Sequence, residues 1–366
     1  MASKVFITGF PGFIAKRLVD RLLRKDPAAS FTFLIEERLR SVAESAVAEL
    51  AAKHAGLAPR VRLVAGDISR PLLGIARDVY DGLVMDVTHV FHLAAIYDLA
   101  VPLQIAYRVN VIGTANVLDF CEDCEHLRRL DYVSTCYVSG DRTGLILERE
   151  LDEGQIFKNN YESTKCWAEM EVRRRMDHLP VCIVRPAVVV GDSKTGETDK
   201  YDGPYFIISK LLHLPTWVPL VNIGQSNANL NLVPVDFVVD AMAELWVNDE
   251  ALGQTIHVAD PYPHTGREVL GGILETMGFR KPVLDAPPAL LEASLQLKPL
   301  QRLLKIPKEV IAYSNHEVYY DTTNQRRLLE RTGVKCPDLL SLLPTMVDYV
   351  RAHPKKRFLD QRDARR

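Results

Sequence analysis

The chain has 366 residues, of which 47% are hydrophobic and 25% charged, and its formal net charge is −2. That length suffices for one large domain or two closely joined domains, and a charge so near zero gives no reason to expect nucleic-acid binding. No apolar run approaches the ~20 residues of a membrane-spanning helix, and no secretory signal is visible. We therefore expect a cytoplasmic protein without an integral membrane segment.

The six cysteines are scattered along the chain, and only Cys121 and Cys124 have Cys-x-x-Cys spacing. This pair falls within a predicted helix, and there is no second pair to complete a zinc site. We expect reduced thiols and no bound metal.

The N-terminal stretch predicts a strand, a tight turn and a helix in succession. Residues 5–7 are apolar, as in a buried parallel strand, and apolar residues recur at helical spacing from Phe13. Between them stand Gly9 and Gly12. Glycines let the backbone approach a ligand, and the dipole of a helix N-terminus favours a diphosphate. The stretch predicts an anion-binding turn, and the glycine pattern alone also fits an ordinary strand–helix turn.

Strands and helices then alternate along the first half of the chain. The predicted strands are 31–35, 61–65, 88–93, 130–134, 181–184 and 255–258, and the predicted helices are 41–55, 102–124 and 161–176. Ser41 is a candidate N-cap, and Glu44 completes a capping box with it. The alternation predicts an α/β fold with a doubly wound parallel Rossmann sheet and helices on both faces.

The alternation ends near Gly191, which divides the chain into two predicted parts. Residues 1–190 form the Rossmann domain, to which 231–260 returns. Residues 191–230 and 261–366 carry most of the prolines and form a smaller, partly helical C-terminal substrate lobe. Within this lobe, 290–304 has apolar residues at helical spacing.

Tyr161 and Lys165 stand four residues apart in a predicted helix, so the phenol and the ammonium share one face. An unperturbed tyrosine has a pKa near ~10, and a neighbouring cation lowers it towards the range of efficient proton transfer. Ser134 and Thr135 place a hydroxyl at the carboxyl edge of the sheet, where open α/β folds bind ligands. A Tyr-x-x-x-Lys pair alone also occurs by chance on helix surfaces. The order of glycine turn, edge hydroxyl and Tyr/Lys helix is therefore what carries the prediction.

Seven short segments have sequences typical of one enzyme family. They are Thr8-Gly9-x-x-Gly12-x-x-Ala15, Gly66-Asp67-Ile68, HLAAIYD at 92–98, VNVIGT at 109–114, YVSTCYVSG at 132–140, NYESTKCWAE at 160–169 and RPAV at 185–188. In these segments the chain resembles the extended short-chain dehydrogenase/reductase family, over essentially its whole length. It is most similar to the thioester-reductase and fatty acyl-CoA reductase branch, also called male-sterility-like.

The resemblance implies a role for each matched residue. Thr135 would be the active hydroxyl, helped by Ser134, with Tyr161 as the proton donor and Lys165 as its partner. The implied cofactor-binding residues are Thr8, Gly9, Phe10, Gly12, Phe13, Ile14, Glu36, Arg38, Asp67, Ile68, Leu93, Ala94, Ala95, Asn110, Tyr161, Lys165, Pro186, Ala187 and Val188. The candidate substrate residues are Tyr97, Cys136, Tyr205 and Phe206; the last two fit a Gly-Pro turn with packed rings equally well.

The predicted cofactor is NAD(P)H, and we expect the residues at the end of the second strand to decide between NADH and NADPH. Glu36 lies ~20 residues past the glycines, where an acid binds the ribose hydroxyls and repels a 2′-phosphate. Arg38, Arg40, Lys16 and Arg17 are candidate phosphate ligands, and the similar branch mostly uses NADPH with an arginine in place of Glu36. Glu36 therefore favours NAD, and the resemblance favours NADPH.

The resemblance implies an NAD(P)H-dependent reductase of an acyl thioester, carried by CoA or an acyl-carrier protein, with an aldehyde or alcohol as product. The alternatives are an oxidoreductase of a free ketone, aldehyde or alcohol, such as a steroid-like or flavonol-like substrate, a sugar-nucleotide epimerase, and a non-catalytic cofactor sensor. The family often dimerises through its long helices, here 102–124 and 161–176, so a homodimer is a further expectation.

Overall fold

The computed structural model describes residues 2–218, 222–223, 228–280, 285–286 and 316–354. The predicted helical stretch 290–304 lies outside these residues. Within them, no helix is long and apolar enough to cross a membrane. The six cysteines are free thiols.

The elements follow one another along the described chain. The strands are β1 (Lys4–Thr8), β2 (Ser30–Ile35), β3 (Val61–Ala65), β4 (His89–His92), β5 (Arg129–Val133), β6 (Gly144–Ile146), β7 (Val181–Pro186), β8 (Val188–Val190), β9 (Asn222–Ile223), β10 (Asn229–Leu230), β11 (Leu232–Pro234), β12 (Thr255–Val258), β13 (His264–Thr265), β14 (Asp285–Ala286) and β15 (Val318–Tyr320). The helices are α1 (Phe13–Lys25), α2 (Arg40–Lys53), α3 (Arg77–Val84), α4 (Leu103–Ala106), a π-helical segment (Tyr107–Ile112), α5 (Gly113–Asp123), α6 (Asn160–Arg174), α7 (Gly203–Leu211), α8 (Val235–Trp246), α9 (Gly266–Met277), α10 (Thr323–Leu329) and α11 (Leu339–Ala352).

Seven of the strands form one sheet in the order β12-β7-β5-β4-β1-β2-β3, and every pair in it is parallel. The chain proceeds outwards from β1 through β2 and β3, and it returns on the other side of β1 with β4. The topological switch point therefore lies between β1 and β4, at the carboxyl edge where such sheets bind ligands. The predicted doubly wound Rossmann sheet is confirmed.

Both faces of the sheet are covered by apolar side chains. In β1, Val5 and Ile7 belong to the core under α1 and α8, whereas Phe6 belongs to the opposite core and meets Phe120 of α5 at a ring-centroid distance of 4.7 Å. Successive side chains of a strand point to opposite faces, so a short apolar run fills both cores at once. Burying each such side chain contributes about 1.5–3 kcal/mol.

A separate apolar core lies beyond β8. It packs α7 against α9 and α11, with Ile208, Ile273 and Val347 fully buried. These helices fall in the predicted substrate lobe. The division of the chain at 190, 230 and 260 stays a prediction.

The predicted capping box at Ser41 and Glu44 is wrong. A 3₁₀ turn over Glu37–Leu39 runs directly into α2, and the backbone N–H of Arg40 donates to the Glu37 carbonyl. Ser41 therefore lies inside the helix instead of before it. Because the preceding turn already supplies a backbone acceptor at the start of α2, a side-chain cap is not needed there.

Candidate active site

The turn between β1 and α1 opens at the switch point of the sheet. Gly9 has a φ of +88°, a conformation that favours glycine, and the N–H of Gly12 donates to the Gly9 carbonyl at 2.8 Å. Gly12 is the N-cap of α1, and no side chain of the described residues caps this helix. The first N–H groups of α1 consequently remain directed at the space above the turn.

A buried chain of hydrogen bonds connects this turn to the helix that carries Tyr161. Thr8 Oγ1 lies 2.7 Å from His92 Nδ1, and His92 Nε2 lies 3.0 Å from Thr114 Oγ1. Thr114 donates to the Asn110 carbonyl at 2.6 Å, and the Asn110 amide donates to Thr164 Oγ1 at 3.0 Å. The five residues fix β1, β4, the π-helical segment and α6 relative to one another.

The π-helical segment places Asn110 where its side chain serves two elements. Its Oδ1 accepts the backbone N–H of Ile96 at 2.9 Å while its Nδ2 reaches Thr164. Asn110 is 1% exposed, so both groups of its amide are satisfied away from water. Such π-helical turns often occur at functional sites. Asn110 thus holds the loop after β4 against α6, a role that supports the site without touching Tyr161.

Thr135 and Tyr161 meet at the carboxyl end of β5. Burial raises the pKa of the Tyr161 phenol well above its ordinary value, and a side-chain hydrogen bond with Thr135 opposes that rise. The Thr135 hydroxyl also accepts the N–H of Tyr137 at 3.2 Å, which fixes its rotamer. The structure therefore brings together the hydroxyl and the phenol that the sequence placed on separate elements.

Lys165 lies one turn further along α6 and is 3% exposed. Its ammonium donates to Tyr132 Oη at 3.0 Å and to the Val133 carbonyl at 2.8 Å. Burial lowers the pKa of Lys165 to about 7, although the charge of Glu169 opposes this shift. An ammonium has three N–H donors, so beyond these two contacts with described residues it has one for a ligand hydroxyl.

Ser134 is directed away from Tyr161. Its hydroxyl donates to Glu169 Oε2 at 2.6 Å, and Glu169 forms an ion pair with Arg185 at 2.6 Å in which both side chains are fully buried. Ser134 therefore joins β5 to α6 and β7. Sequence reasoning missed Glu169 and Arg185; the available signal was an arginine within an apolar strand and an acid four residues after Lys165.

Glu36 and Arg38, the residues after β2 that we expect to distinguish NADH from NADPH, bind each other. Arg38 donates to both carboxylate oxygens of Glu36, at 2.7 and 2.9 Å. The other cations considered for a phosphate also have acidic partners: Lys16 with Asp199 at 4.0 Å, Arg17 with Glu197 at 3.1 Å and Arg40 with Glu37 at 2.7 Å. This geometry gives no preference between NADH and NADPH.

The remaining cofactor-binding candidates lie along the same edge of the sheet. They are Phe10 in the turn after β1, Phe13 and Ile14 at the start of α1, Asp67 and Ile68 after β3, Leu93, Ala94 and Ala95 after β4, and Pro186, Ala187 and Val188 at and after the end of β7. Ala94 donates its N–H to Thr8 Oγ1 at 3.2 Å. Asp67 accepts from the Ser69 hydroxyl at 2.7 Å.

Of the substrate candidates, Tyr97 lies against Tyr161, the predicted proton donor. Its ring meets that of Tyr161 edge to face at 5.1 Å. Tyr205 is 1% exposed and donates its hydroxyl to the Gly196 carbonyl at 2.8 Å, so it packs within the core of α7, α9 and α11. Cys136 is buried, and its thiol donates to the Arg185 carbonyl at 3.2 Å. Phe206 is half-buried on α7.

Comparison with known proteins identifies the family of this chain. The family model described as Male sterility protein, an NAD-binding domain, matches residues 7–242. The chain belongs to this family. The predicted resemblance to male-sterility-like reductases is thereby confirmed.

Curated relatives of this male sterility protein family include reductases and peptide synthetases. The chain is 28% identical over 277 residues to fatty acyl-CoA reductase wat of Drosophila melanogaster. This match covers 66% of this chain and 54% of that protein. It is 28% identical over 276 residues to the non-canonical nonribosomal peptide synthetase cpsA of Aspergillus campestris. This match covers 70% of this chain and 25% of that protein. The chain therefore spans less than two thirds of either relative.

Solved structures share the fold over nearly the whole chain. The terminal R domain from the myxalamid PKS-NRPS biosynthetic pathway has a TM-score of 0.78 and 26% identity, with 96% of this chain and 91% of that chain covered. UDP-glucuronic acid 4-epimerase from Bacillus cereus in complex with NAD has a TM-score of 0.67 and 19% identity, with 96% of this chain and 100% of that chain covered. The second likeness concerns the fold alone.

The glycine turn fits the dinucleotide that an NAD-binding domain of this family holds. A Cβ atom at Gly9 would lie 2.8 Å from the Ala94 nitrogen, and one at Gly12 would lie 2.7 Å from the Gly9 carbonyl oxygen. Both positions therefore require glycine, and the backbone stays accessible to a diphosphate. The residues present fit NAD(P).

Proposed function

We propose that this protein is an NAD(P)H-dependent reductase of an acyl thioester, with Tyr161 as the proton donor. The observation that carries the proposal is the placement of Tyr161 against Thr135 at the carboxyl end of β5, where Lys165, one turn further along α6, donates to the Val133 carbonyl. The fatty acyl-CoA reductase and R-domain relatives support a thioester as the substrate.

The bound dihydronicotinamide supplies the hydride. The Thr135 hydroxyl and the Tyr161 phenol both donate to the substrate carbonyl oxygen, where negative charge develops as the carbonyl carbon accepts the hydride. Tyr161 Oη then transfers its proton to that oxygen. The product of this step is a thiohemiacetal, which breaks its C–S bond to give an aldehyde and a free thiol.

Lys165 makes this proton transfer feasible. Burial alone raises the pKa of Tyr161, so the phenolate left after proton transfer needs a nearby cation. Lys165 stands on the same face of α6, one turn after Tyr161, and its third N–H is the donor for the nicotinamide ribose. Tyr97 packs against Tyr161 and limits the access of water to the phenol.

The carrier of the acyl group follows from the same relatives. R domains and peptide synthetases favour a carrier-protein thioester, and fatty acyl-CoA reductases favour a CoA thioester. Reduction stops at the aldehyde or continues to the alcohol by a second hydride transfer at the same site.

A homodimer formed through the predicted helices 102–124 and 161–176 is part of the proposal. It is supported by the exposed apolar side chains that these helices carry, which are Leu103, Tyr107, Ile112 and Trp167.

A matrix of cofactors and substrates tests the proposed function. We expect the purified protein to oxidise NADH or NADPH in the presence of an acyl-CoA or an acylated carrier protein, with release of thiol and formation of aldehyde or alcohol. Tyr161→Phe should lower kcat by about 10²–10⁴-fold while cofactor binding is retained. Reduction of ketones without any thioester would contradict the substrate class, and full activity in Tyr161→Phe would contradict the proton donor.

A further inference from the structure

The phenol of Tyr132 is the side-chain hydrogen-bond partner of Lys165. The Lys165 ammonium donates to Tyr132 Oη at 3.0 Å and lies 4.5 Å from the centroid of the same ring. Tyr132 is 1% exposed, and its ring belongs to the core beneath β5. Because bulk water does not compete at this depth, the hydrogen bond and the cation–π contact both act at full strength.

The side chain of Thr114 lies near the Tyr132 phenol. Burial raises the pKa of this phenol well above its usual value, and an interaction with the Thr114 side chain opposes that rise. Thr114 in turn donates to the Asn110 carbonyl at 2.6 Å. An ammonium has no acceptor, so Tyr132 accepts the hydrogen bond from Lys165.

The same chain of hydrogen bonds ends at the glycine turn. Burial and the charge of Lys165 lower the pKa of His92 to about 3, so the imidazole is neutral. A neutral imidazole has one donor and one acceptor. In His92, Nε2 donates to Thr114 at 3.0 Å and Nδ1 accepts from Thr8 at 2.7 Å, so the donor and the acceptor of the ring are both used.

We propose that Tyr132 is a positioning residue, which keeps the Lys165 ammonium protonated and fixes it at the carboxyl end of β5. The inference rests on the proposed function, because it assumes that Lys165 assists Tyr161. A hydrogen bond accepted from a charged donor stabilises the charged form. Without the Tyr132 hydroxyl, Lys165 should therefore lose its proton at a lower pH.

The groups that face Lys165 are few, which makes its titration interpretable. Glu169 on its own helix is the one charged group whose field acts on Lys165 among the described residues. His92 on β4 is neutral, and the phenols of Tyr132 and Tyr161 have pKa values raised by burial. A change at Tyr132 therefore alters a hydrogen bond of Lys165 without altering a neighbouring charge.

Tyr132→Phe tests this role, because it removes one oxygen atom and keeps the ring. An NMR titration of protein labelled with ¹³Cε-lysine, with the Lys165 signal assigned by Lys165→Met, follows its protonation without substrate or cofactor. We expect Lys165 to titrate about one pH unit lower in Tyr132→Phe, and kcat to fall about tenfold at unchanged KM. An unchanged titration overturns the inference. Since the titration needs no substrate, it separates this failure from a failure of the proposed function.

Two further variants complete the experiment. Tyr80 is a buried tyrosine of the same core whose hydroxyl donates to Asp123 at 2.7 Å, so Tyr80→Phe removes the same atom away from Lys165 and should leave its titration unchanged. If Tyr132→Phe does not fold, Thr114→Val decides, because it removes the hydroxyl that interacts with the Tyr132 phenol. We expect Thr114→Val to lower the pH at which Lys165 titrates and Thr114→Ser to restore it; equal titrations in both variants overturn the inference.

Discussion

Glu36 and Arg38 form a two-point ion pair after β2, at the position where the adenosine ribose of a dinucleotide lies in folds of this type. Their side chains are 53% and 40% exposed, so the pair contributes little stability and a ligand can open it. Ribose hydroxyls bind a carboxylate, whereas a 2′-phosphate binds a guanidinium. We therefore expect this pair to set the preference between NADH and NADPH.

Glu36→Gln should shift that preference towards NADPH. The substitution removes the negative charge that repels a 2′-phosphate, and it weakens the competition of residue 36 with a phosphate for the Arg38 guanidinium. We expect the ratio of kcat/KM for NADPH to that for NADH to rise about tenfold. Steady-state kinetics with each cofactor at constant ionic strength measure this ratio.

The neighbouring Glu37 provides a matched control for this shift. Its carboxylate pairs with Arg40 at 2.7 and 2.8 Å, and its side chain is 67% exposed, against 53% for Glu36. Glu37→Gln should leave the cofactor ratio unchanged. An equal change in both variants would mean that general surface charge, and not the Glu36–Arg38 pair, sets the preference.

The roles of Ser134 and Thr135 illustrate what sequence can establish about single residues. The end of an apolar strand followed by two hydroxyl residues placed both at the carboxyl edge. Successive side chains of an extended chain point in opposite directions, so only one of the two can face Tyr161. Composition and spacing do not show which of the two hydroxyls faces Tyr161; the family resemblance indicated Thr135. Tyr132 escaped notice because an aromatic residue within a buried strand is indistinguishable from a packing residue in sequence.

At the scale of elements, α6 presents its polar residues along one side. Tyr161, Lys165 and Glu169 follow at intervals of four residues, and Glu169 anchors the helix to Arg185 of β7. Burial alone would raise the pKa of the Glu169 carboxyl, but Arg185 and Arg173 lower it below its usual value. The ion pair therefore holds α6, the helix of Tyr161 and Lys165, against the sheet.

Glu169→Gln should destabilise the protein strongly. It leaves the guanidinium of Arg185 buried without a countercharge, and breaking a buried pair in this way costs about 3–5 kcal/mol. Urea unfolding should show a lower midpoint with an unchanged m-value. Glu171→Gln on the same helix breaks an exposed pair with Arg174 and should cost less than ~1 kcal/mol. Equal losses in the two variants would contradict a structural role for the buried pair.

The elements themselves were predicted to different degrees. The uninterrupted apolar runs 5–7 and 181–184 fall within strands, as predicted, because burial on both faces leaves a strong sequence signal. Helix α3 (Arg77–Val84) was missed, since eight residues hold too few apolar positions to define a period. The predicted helix 102–124 forms as α4, a π-helical segment and α5; the π turn depends on contacts of Asn110 that are distant in sequence.

At the scale of the whole molecule, the polar groups buried at the carboxyl edge of the sheet belong to the candidate site, and burying them can lower the stability of the fold. Lys165, Glu169, Arg185, His92 and Asn110 are each at most 3% exposed, and ionised groups at such depth are unfavourable unless they are paired. Glu169 and Arg185 form a pair, whereas Lys165 has hydrogen bonds to neutral oxygens. Among these groups, Lys165 is therefore the one whose burial should oppose folding.

Lys165→Met should consequently make the protein more stable while it abolishes assistance to Tyr161. The pKa of Lys165 is about 7 in the folded protein and about 10.4 in an unfolded chain. Between these values the unfolded state binds more protons, so the free energy of unfolding of the wild type rises with pH by up to ~1.4 kcal/mol per pH unit. Lys165→Met lacks this dependence, so its advantage over the wild type should be largest at or below about pH 7 and should narrow towards about pH 9.

Urea unfolding of the wild type and Lys165→Met across this pH range measures the difference, in which contributions from other titrating groups cancel. Lys53→Met, at the exposed end of α2, should give a difference that does not depend on pH, because the side chain at this position is in water in the folded and the unfolded protein alike. A constant difference for Lys165→Met as well would mean that the buried ammonium is not destabilised. The role proposed for Lys165 as the cation near Tyr161 would be unaffected, since a lysine with an ordinary pKa remains charged throughout the working range.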